Sequence, residues 1–178
     1  MNFEFQPVDL ENEFVKLSPL KPGDFETLYK VASDPFIWEQ HPNKDRYKRE
    51  VFEVFFDGAI KSEGAFLVTE TKTGMVIGSS RFYRSKENQN EISIGYTFLA
   101  KAFWGTTYNR ALKTLMLKHA FKFTDKVIFH VGAENIRSQK AREKLGAKKI
   151  GEIEMEYYGE PEKLNFIFQI TKESFSIG

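Results

Sequence analysis

Two places in the sequence combine a strand, a short loop and a helix in a way that suits a bound phosphate. The first is the loop over residues 102–110. Backbone N–H groups in the first turn of a helix have no acceptor within it, and the helix dipole adds positive potential there. Gly105 permits backbone angles that a side chain would forbid, and Thr106 or Thr107 can cap the helix or offer a hydroxyl to phosphate. The loop indicates an anion site, although an ordinary strand-to-helix turn stays open.

The second place is the crossing from a predicted buried strand into a basic helix. Asn135 offers both a donor and an acceptor to an amide, and Ser138 follows three residues later. Both residue types also begin helices commonly, so a purely structural role stays open. Most cations of this helix are expected on a solvated face, and Arg137 and Arg142 are the predicted phosphate partners.

A mixed sheet is predicted to position these loops. Predicted strands cover residues 14–20, 65–70, 75–84, 91–98, 127–131, 150–158 and 164–171. Predicted helices begin at Asp24, cover 45–61, follow the first loop and cover 137–145. This order predicts an α/β (α+β) fold, with one domain over residues 1–178 and a mixed, mostly antiparallel sheet flanked by helices.

The strand over residues 91–98 alternates clearly between apolar and polar residues. Ile92, Ile94, Tyr96 and Phe98 are predicted to point one way, and Glu91, Ser93, Gly95 and Thr97 the other. Glu91 and Ser93 are therefore expected on one polar face.

Composition sets limits on the function. Hydrophobic residues make up 41% of the 178 residues and 18 are Phe, which argues against disorder. Lys and Arg total 26 against 25 Asp and Glu, so a net charge of +1 gives no general case for nucleic acid. The basic last helix alone is a weak indication of RNA binding, and no nucleic-acid partner is expected.

Cysteine is absent from the sequence, which excludes a disulfide scaffold, a cysteine nucleophile and a cysteine-rich zinc site. No metal is expected. The first residues lack a basic region followed by an apolar one, and no apolar run approaches the ~20 residues of a membrane helix. A cytoplasmic protein without a membrane partner, as a monomer or homodimer, is the expectation.

The chain resembles the GCN5-related N-acetyltransferase superfamily, most closely the branch that includes ribosomal-protein N-terminal-alanine acetyltransferases. The resemblance is strongest from Gly95 to Ala147. The family's loop pattern is Gln or Arg, two residues, Gly, one residue, then Gly or Ala. Trp104, Thr107 and Asn109 stand at its three defined places, and the local form is similar to the Trp-Gly-x-x-Tyr-Asn of that branch.

The resemblance implies the acyl-CoA N-acyltransferase fold, with acetyl-CoA as co-substrate and a primary amine as acceptor. The strands over 91–98 and 127–131 would run parallel and splay apart, and a backbone N–H near Tyr96 to Phe98 would polarise the acetyl carbonyl. The implied coenzyme contacts are Tyr96, Thr97, Phe98, Trp104, Gly105, Thr106, Thr107, Tyr108, Asn109, Arg110, Asn135, Ser138 and Arg142.

The attacking amine must be neutral, which is easier for an α-amino group with a pKa near ~8 than for a lysine near ~10.4. Glu91 is the leading candidate for the base, acting through water, and Ser93 stands where many family members carry Glu. His130 on the facing strand is the second candidate, since histidine ordinarily titrates near ~6.5. A hydrogen-bonded core histidine is the alternative. His41 has no pattern around it.

A proton donor for the leaving thiolate is the other requirement. Arg142 occupies the place where many family members have a tyrosine acid, and Tyr157, Tyr158 or Tyr96 could substitute. Glu152, Glu154 and Glu156 indicate a solvated strand face, with attraction of a polyamine as the alternative. The competing function is a module that binds acyl-CoA without turnover.

Overall fold

A computed structural model describes residues 2–86 and 88–177, with side chains described as far as Phe175. The strands are β1 (Leu10–Glu11), β2 (Val15–Pro19), β3 (Ala65–Glu70), β4 (Val76–Tyr83), β5 (Ile92–Leu99), β6 (Lys126–Gly132), β7 (Lys148–Met155) and β8 (Lys163–Thr171). The helices are α1 (Phe25–Ala32), α2 (Arg49–Lys61), α3 (Tyr108–Ala120), α4 (Ile136–Lys144) and α5 (Lys172–Ile177). The predicted order is confirmed, and β1 and α5 are additions to it.

The strands form one sheet in the order β1-β2-β3-β4-β5-β6-β8-β7. All neighbouring pairs are antiparallel except β5 and β6, which confirms the mixed, mostly antiparallel sheet. β5 and β6 pair only at Ile92↔Val127 and Ser93↔Ile128. β6 then stays paired with β8 as far as Gly132. The two parallel strands therefore part beyond Ser93, as predicted.

Two hydrophobic cores lie on opposite faces of this sheet. The core beneath α3 includes Leu112, Met116 and Phe129, all fully buried. The core beneath α1 and α2 is richer in aromatic side chains, among them Trp38 and Phe52. Each such side chain contributes roughly 1.5–3 kcal/mol when fully buried. The sheet is thus covered on both sides, and the parted strands open between two packed layers.

A β-bulge interrupts β5 near the point where the strands part. Two residues of β5, Tyr96 and Thr97, oppose one residue of β4, Ser80. Tyr96 has a φ of +52°, which is rare for a residue with a side chain. Beyond the bulge the faces are exchanged, because Ile94 packs beneath α3 and Phe98 packs beneath α1 and α2. The predicted unbroken alternation along this strand is therefore wrong.

Two predicted boundaries also change. The second helix begins at Arg49 rather than at residue 45, because Lys48 is extended and Arg46 turns into the interior. The strand predicted to reach Tyr158 ends at Met155. The last basic helix ends as predicted, with Gly146 at a φ of +90° just beyond its C-cap.

Candidate active site

A narrow cavity lies where β5 and β6 part. On the α3 and α4 side it is lined by Ile94, Thr97, Val131, Asn135, Ser138 and Arg142. On the α1 and α2 side it is lined by His41, Pro42, Arg46, Tyr83, Tyr96, His130 and Tyr157. The space open to the centre of a water molecule is about 50 Å³. Side chains from both faces of the sheet thus meet around the cavity at the gap between the strands.

The loop before α3 is held by its own hydrogen bonds. The Trp104 indole donates to the Leu99 carbonyl at 2.9 Å, and the Thr106 hydroxyl donates to the Phe103 carbonyl at 2.6 Å. Gly105 has a φ of +68°, where a side chain would be strained. Thr106 is therefore committed to the loop, and the predicted backbone donors are the part left for a ligand.

The start of α3 presents those donors. Thr107 is the N-cap residue and makes no side-chain capping bond. The N–H groups of Asn109 and Arg110 lie in the first turn, where a helix supplies no acceptor. Arg110 is exposed. These donors are the ones that the predicted anion site requires, and the binding of an anion here stays a prediction.

Tyr108 points away from this site. Its hydroxyl donates to the carboxylate of Glu70, which also accepts from the Thr73 hydroxyl at 2.5 Å. The hydrogen bonds from Thr73 and Tyr108 lower the pKa of Glu70, and the bond to Glu70 raises the pKa of Tyr108. The Tyr108 side chain thus ties α3 to the β3–β4 hairpin, and its backbone N–H donates to the Thr106 hydroxyl at 3.4 Å.

Arg137 joins the two crossings. Its guanidinium carbon lies 3.8 Å from the centre of the Trp104 ring. The same side chain donates to the Ile37 carbonyl at 3.2 Å, and its backbone N–H donates to Gln40 at 3.0 Å. Burial lowers the pKa of Arg137. These contacts fasten α4 to the first loop, so the predicted phosphate partner already has protein partners.

Asn135, Ser138 and Arg142 share the face of α4 that lines the cavity. Asn135 is the N-cap residue, and its Oδ1 accepts from the Ser138 N–H at 3.1 Å. The structural role left open for Asn135 is therefore present, and its Nδ2 takes no part in that bond. Arg142 Nη2 donates to the Ser138 hydroxyl in a long hydrogen bond of 3.5 Å.

Arg142 is buried, with 6% of its surface exposed. Its Nε and Nη1 atoms have no hydrogen-bond partner in the described structure. Burial lowers the pKa of Arg142 to about 10, so the guanidinium keeps its charge at neutral pH. The side chain lines the cavity between the strands, away from the exposed first turn of α3 where the pyrophosphate is expected.

His130 and Tyr83 form a pair on the α1 and α2 side of the gap. The Tyr83 hydroxyl lies 2.7 Å from His130 Nδ1, and it also bonds the side chain of Ser93. Burial raises the pKa of Tyr83 well above its usual value, so the phenol stays protonated. A Cβ on Gly95 would approach the Tyr83 ring to 2.9 Å, so glycine makes room for this pair. Ser93 and His130 are thus brought together through Tyr83.

Glu91 lies outside the gap, before the two positions at which β5 and β6 are paired. Its carboxylate lies 2.5 Å from Lys126 Nζ. It does not line the cavity. The structure therefore does not bring this predicted base together with His130.

A buried ion pair that sequence reasoning missed stands beside the cavity. Arg46 donates to both carboxylate oxygens of Glu160, at 2.8 and 2.7 Å. The two side chains are only 3% and 6% exposed. The guanidinium lies over the rings of Phe55 and Tyr157, at 4.9 and 5.4 Å from their centres. The partners are 114 residues apart, so no local sequence signal could reveal them.

The two tyrosines proposed as acids differ in position. The Tyr157 hydroxyl donates to Asn165 at 2.6 Å within the protein, and burial raises the pKa of Tyr157. Tyr158 is exposed and bonds Asp57 on α2. Tyr157 thus reaches the cavity with its proton engaged, and Tyr158 lies outside it.

His41 and Lys113 are further residues that the sequence did not single out. His41 packs against Trp38, and burial, followed by the charges of Arg46 and Arg137, lowers its pKa to about 3. The imidazole is therefore neutral at physiological pH.

Lys113 is fully buried on α3. It donates to Ser80 at 3.1 Å and to the Thr97 hydroxyl. Burial, followed by the charge of Arg142, lowers the pKa of Lys113 well below its usual value. The apolar pattern of α3 gave no indication in the sequence that this lysine is buried.

Other candidate sites are weaker. A wide depression of about 770 Å³ near Lys126 and Lys172 is lined by polar side chains that are exposed or half-buried. Among residues 2–86 and 88–177, no three or more His, Cys, Asp or Glu side chains are placed to hold a metal ion. In the same residues, no helix has the length and apolar character required to cross a bilayer. Glu152, Glu154 and Glu156 are exposed, in agreement with a solvated strand face.

Comparisons with known proteins agree with this geometry. The family model described as an acetyltransferase (GNAT) domain matches residues 15–148. No curated protein matches the chain significantly.

Among solved structures, a GCN5-related N-acetyltransferase from Brucella melitensis is similar with a TM-score of 0.76 and 19% identity, over 98% of this chain and 85% of that one. A spermidine N-acetyltransferase from Vibrio cholerae, in complex with CoA and spermine, gives 0.67 and 16%, over 93% and 99%. A ribosomal-protein-S5-alanine acetyltransferase from Vibrio fischeri gives 0.65 and 15%, over 93% and 97%. At these identities the structures establish the likeness of fold.

Proposed function

The chain belongs to the acetyltransferase (GNAT) family, and from this premise we propose that it transfers the acetyl group of acetyl-CoA directly to a primary amine. The observation that carries the proposal is the cavity between β5 and β6, which is lined by side chains from both faces of the sheet. Each face can admit one substrate, and the two meet where the strands part. Bringing two reactants together in this way removes much of the entropic barrier to reaction.

The coenzyme fits the α3 and α4 side. The N–H groups of Asn109 and Arg110 would bind the pyrophosphate, and the Asn135 Nδ2 would donate to an amide of the pantetheine arm. The unpartnered nitrogens of Arg142 support an anionic or hydrogen-bond-accepting ligand on this side. The coenzyme supplies the acetyl group as a thioester, and backbone N–H groups near Tyr96 to Phe98 would polarise its carbonyl.

The amine proton would pass to His130. In the tautomer that carries hydrogen on Nδ1, His130 donates to the Tyr83 oxygen, which also accepts from Ser93, and Nε2 is the atom that takes the proton. Ser93 and Tyr83 then position the base. Glu91 is the alternative, but its pairing with Lys126 favours His130.

The acceptor chamber favours an amine with a single charge over a polyamine. None of the described residues that line the cavity is Asp or Glu, and the nearby Glu160 is already paired with Arg46. A second ammonium group would therefore find no partner there. A peptide α-amino group or a small monoamine, with a pKa near ~8 in the first case, fits this chamber.

Release of free CoA thiol across a panel of peptides and small amines tests the function. The His130→Gln variant is expected to lower kcat/KM by roughly 100- to 10,000-fold and to remove the acid limb of the pH–rate profile. The matched control, Glu91→Gln, should remain within a few-fold of wild type. The reverse result would assign the base to Glu91, and coenzyme binding without thiol release for any acceptor would indicate an acyl-CoA-binding module.

A further inference from the structure

Arg142 carries a buried charge that no carboxylate in residues 2–86 and 88–177 balances. The side chain is 6% exposed, and two of its three guanidinium nitrogens have no partner. Each buried donor left unpaired costs about 1–3 kcal/mol. Two such donors beside a cavity indicate a ligand atom that accepts hydrogen bonds and carries negative charge.

The guanidinium lies on the coenzyme side of the gap. Its carbon is 4.8 Å from the centre of the Phe129 ring, and Phe129 packs in the core beneath α3. Thr97 and Ser138, on the same side, are its neighbours in the cavity lining. His130 lies on the other side, because successive residues of β6 face opposite ways. Arg142 is therefore placed to meet the coenzyme, and His130 to meet the amine.

We propose that Arg142 holds the sulfur atom of coenzyme A as it leaves as a thiolate, an inference that rests on the proposed function. In the transfer, the amine nitrogen forms a bond to the acetyl carbon and the carbon–sulfur bond breaks. The sulfur leaves with the bonding electron pair, and the amine proton goes to the base. Arg142 donates hydrogen bonds to the new thiolate, so no side-chain acid has to protonate it within the site.

This role accounts for a buried arginine with two unpartnered guanidinium nitrogens. A thiolate next to the guanidinium forms the missing ion pair, and charge-assisted hydrogen bonds are about twice as strong as neutral ones. The interaction strengthens as charge develops on sulfur, so it favours the transition state over the bound substrate. A free thiol titrates near ~8.5, and an adjacent cation lowers that value.

The test compares CoA with desulfo-CoA, which lacks the sulfur atom. Wild-type protein should bind CoA about tenfold more tightly than desulfo-CoA above pH 8, and the thiol of bound CoA should titrate at least one unit below that of free CoA. Calorimetry gives the affinities, and thiolate absorbance gives the titration. Arg142→Gln should lose the preference for CoA while it keeps its affinity for desulfo-CoA, and Arg142→Lys should recover part of it.

Arg137→Gln is the control on the same helix, and it should lower the affinity for CoA and for desulfo-CoA by the same factor. Equal weakening by Arg142→Gln, or an unshifted thiol in the wild type, would overturn the proposal while the proposed function stands. The wild-type titration needs no variant, so misfolding of Arg142→Gln leaves the test intact. If the wild type binds neither ligand, the inference and the proposed function both fail.

Discussion

The cavity has a buried arginine on each side of the sheet, and their surroundings differ. Arg46, on the α1 and α2 side, forms two hydrogen bonds with Glu160 and lies over aromatic rings. Arg142, on the α3 and α4 side, has unpartnered nitrogens and no carboxylate. A buried ion pair of good geometry can belong to the architecture of a protein, whereas an unpaired buried charge needs another explanation. The comparison separates an arginine that the protein itself pairs from one whose hydrogen bonds are complete only with a ligand.

The largest expected effect on stability comes from breaking the buried ion pair between Arg46 and Glu160. Glu160→Gln should destabilise the protein by about 3–5 kcal/mol in urea unfolding, because it leaves Arg46 buried and uncompensated. The control is Glu26→Gln, which breaks a bidentate pair with Arg49 whose side chains are 66% and 47% exposed. That loss of stability should be much smaller, because solvent screens an exposed ion pair. Similar losses at the two sites would contradict the contrast.

The same substitution on the two sides should have effects of opposite sign. Arg142→Met should raise the stability of the ligand-free protein by about 1–2 kcal/mol, because it removes unpaired buried donors. Arg46→Met should lower it by several kcal/mol, because Glu160 would lose its partner. Thermal or urea unfolding of the two variants measures the difference. A clear loss of stability in Arg142→Met would show that the protein itself satisfies this arginine.

Lys113 gives a pH test of the α3 and α4 side. Its folded-state pKa is lowered, so between that value and the unfolded value near ~10.4 the unfolded chain binds more protons. This contribution to stability is complete above the unfolded pKa and is lost as pH falls toward the folded pKa. In Lys113→Met the rise of stability with pH should be shallower, by up to about 1.4 kcal/mol per pH unit. The free energy of unfolding, measured from neutral to alkaline pH for both proteins, checks this prediction. An equal slope of stability against pH in the two proteins would refute it.

The smallest expected effect concerns the acceptor. With Glu160 paired, the chamber should accept a monoamine or peptide N-terminus with a kcat/KM about three- to tenfold higher than that of spermidine. Arg46→Met would release the Glu160 carboxylate beside the chamber. This variant should therefore reduce the difference in kcat/KM between the monoamine and spermidine. A preference of the wild type for spermidine would show that the exposed glutamates of β7 steer the acceptor.

The sequence was sufficient for elements with local signals. The order of strands and helices, the parting of β5 from β6 and the glycine beyond α4 all follow from periodicity, turn residues and the family resemblance. The alternation along β5 could not be followed past the bulge at Tyr96, because one inserted residue exchanges the faces.

The site was less predictable because its contacts are long-range. Arg46 meets Glu160 across 114 residues, and Tyr83 reaches His130 across 47. Arg142 was predicted to bind phosphate from its charge, but its burial and its place in the cavity depend on how α4 packs against β6. Such residues become visible only when the sheet brings distant segments together.

The short ladder between β5 and β6 has a consequence for cooperativity. Two pairs of residues, one in β5 and one in β6 each time, connect the five N-terminal strands to the three C-terminal strands in the sheet. An extended ligand arm with two amides has the hydrogen-bond donors and acceptors of a short strand. Such an arm could lie between β5 and β6 beyond Ser93 and bond to both strands. The coenzyme would then act as a structural member of the sheet, and amide hydrogens along both borders of the gap should exchange more slowly once it is bound.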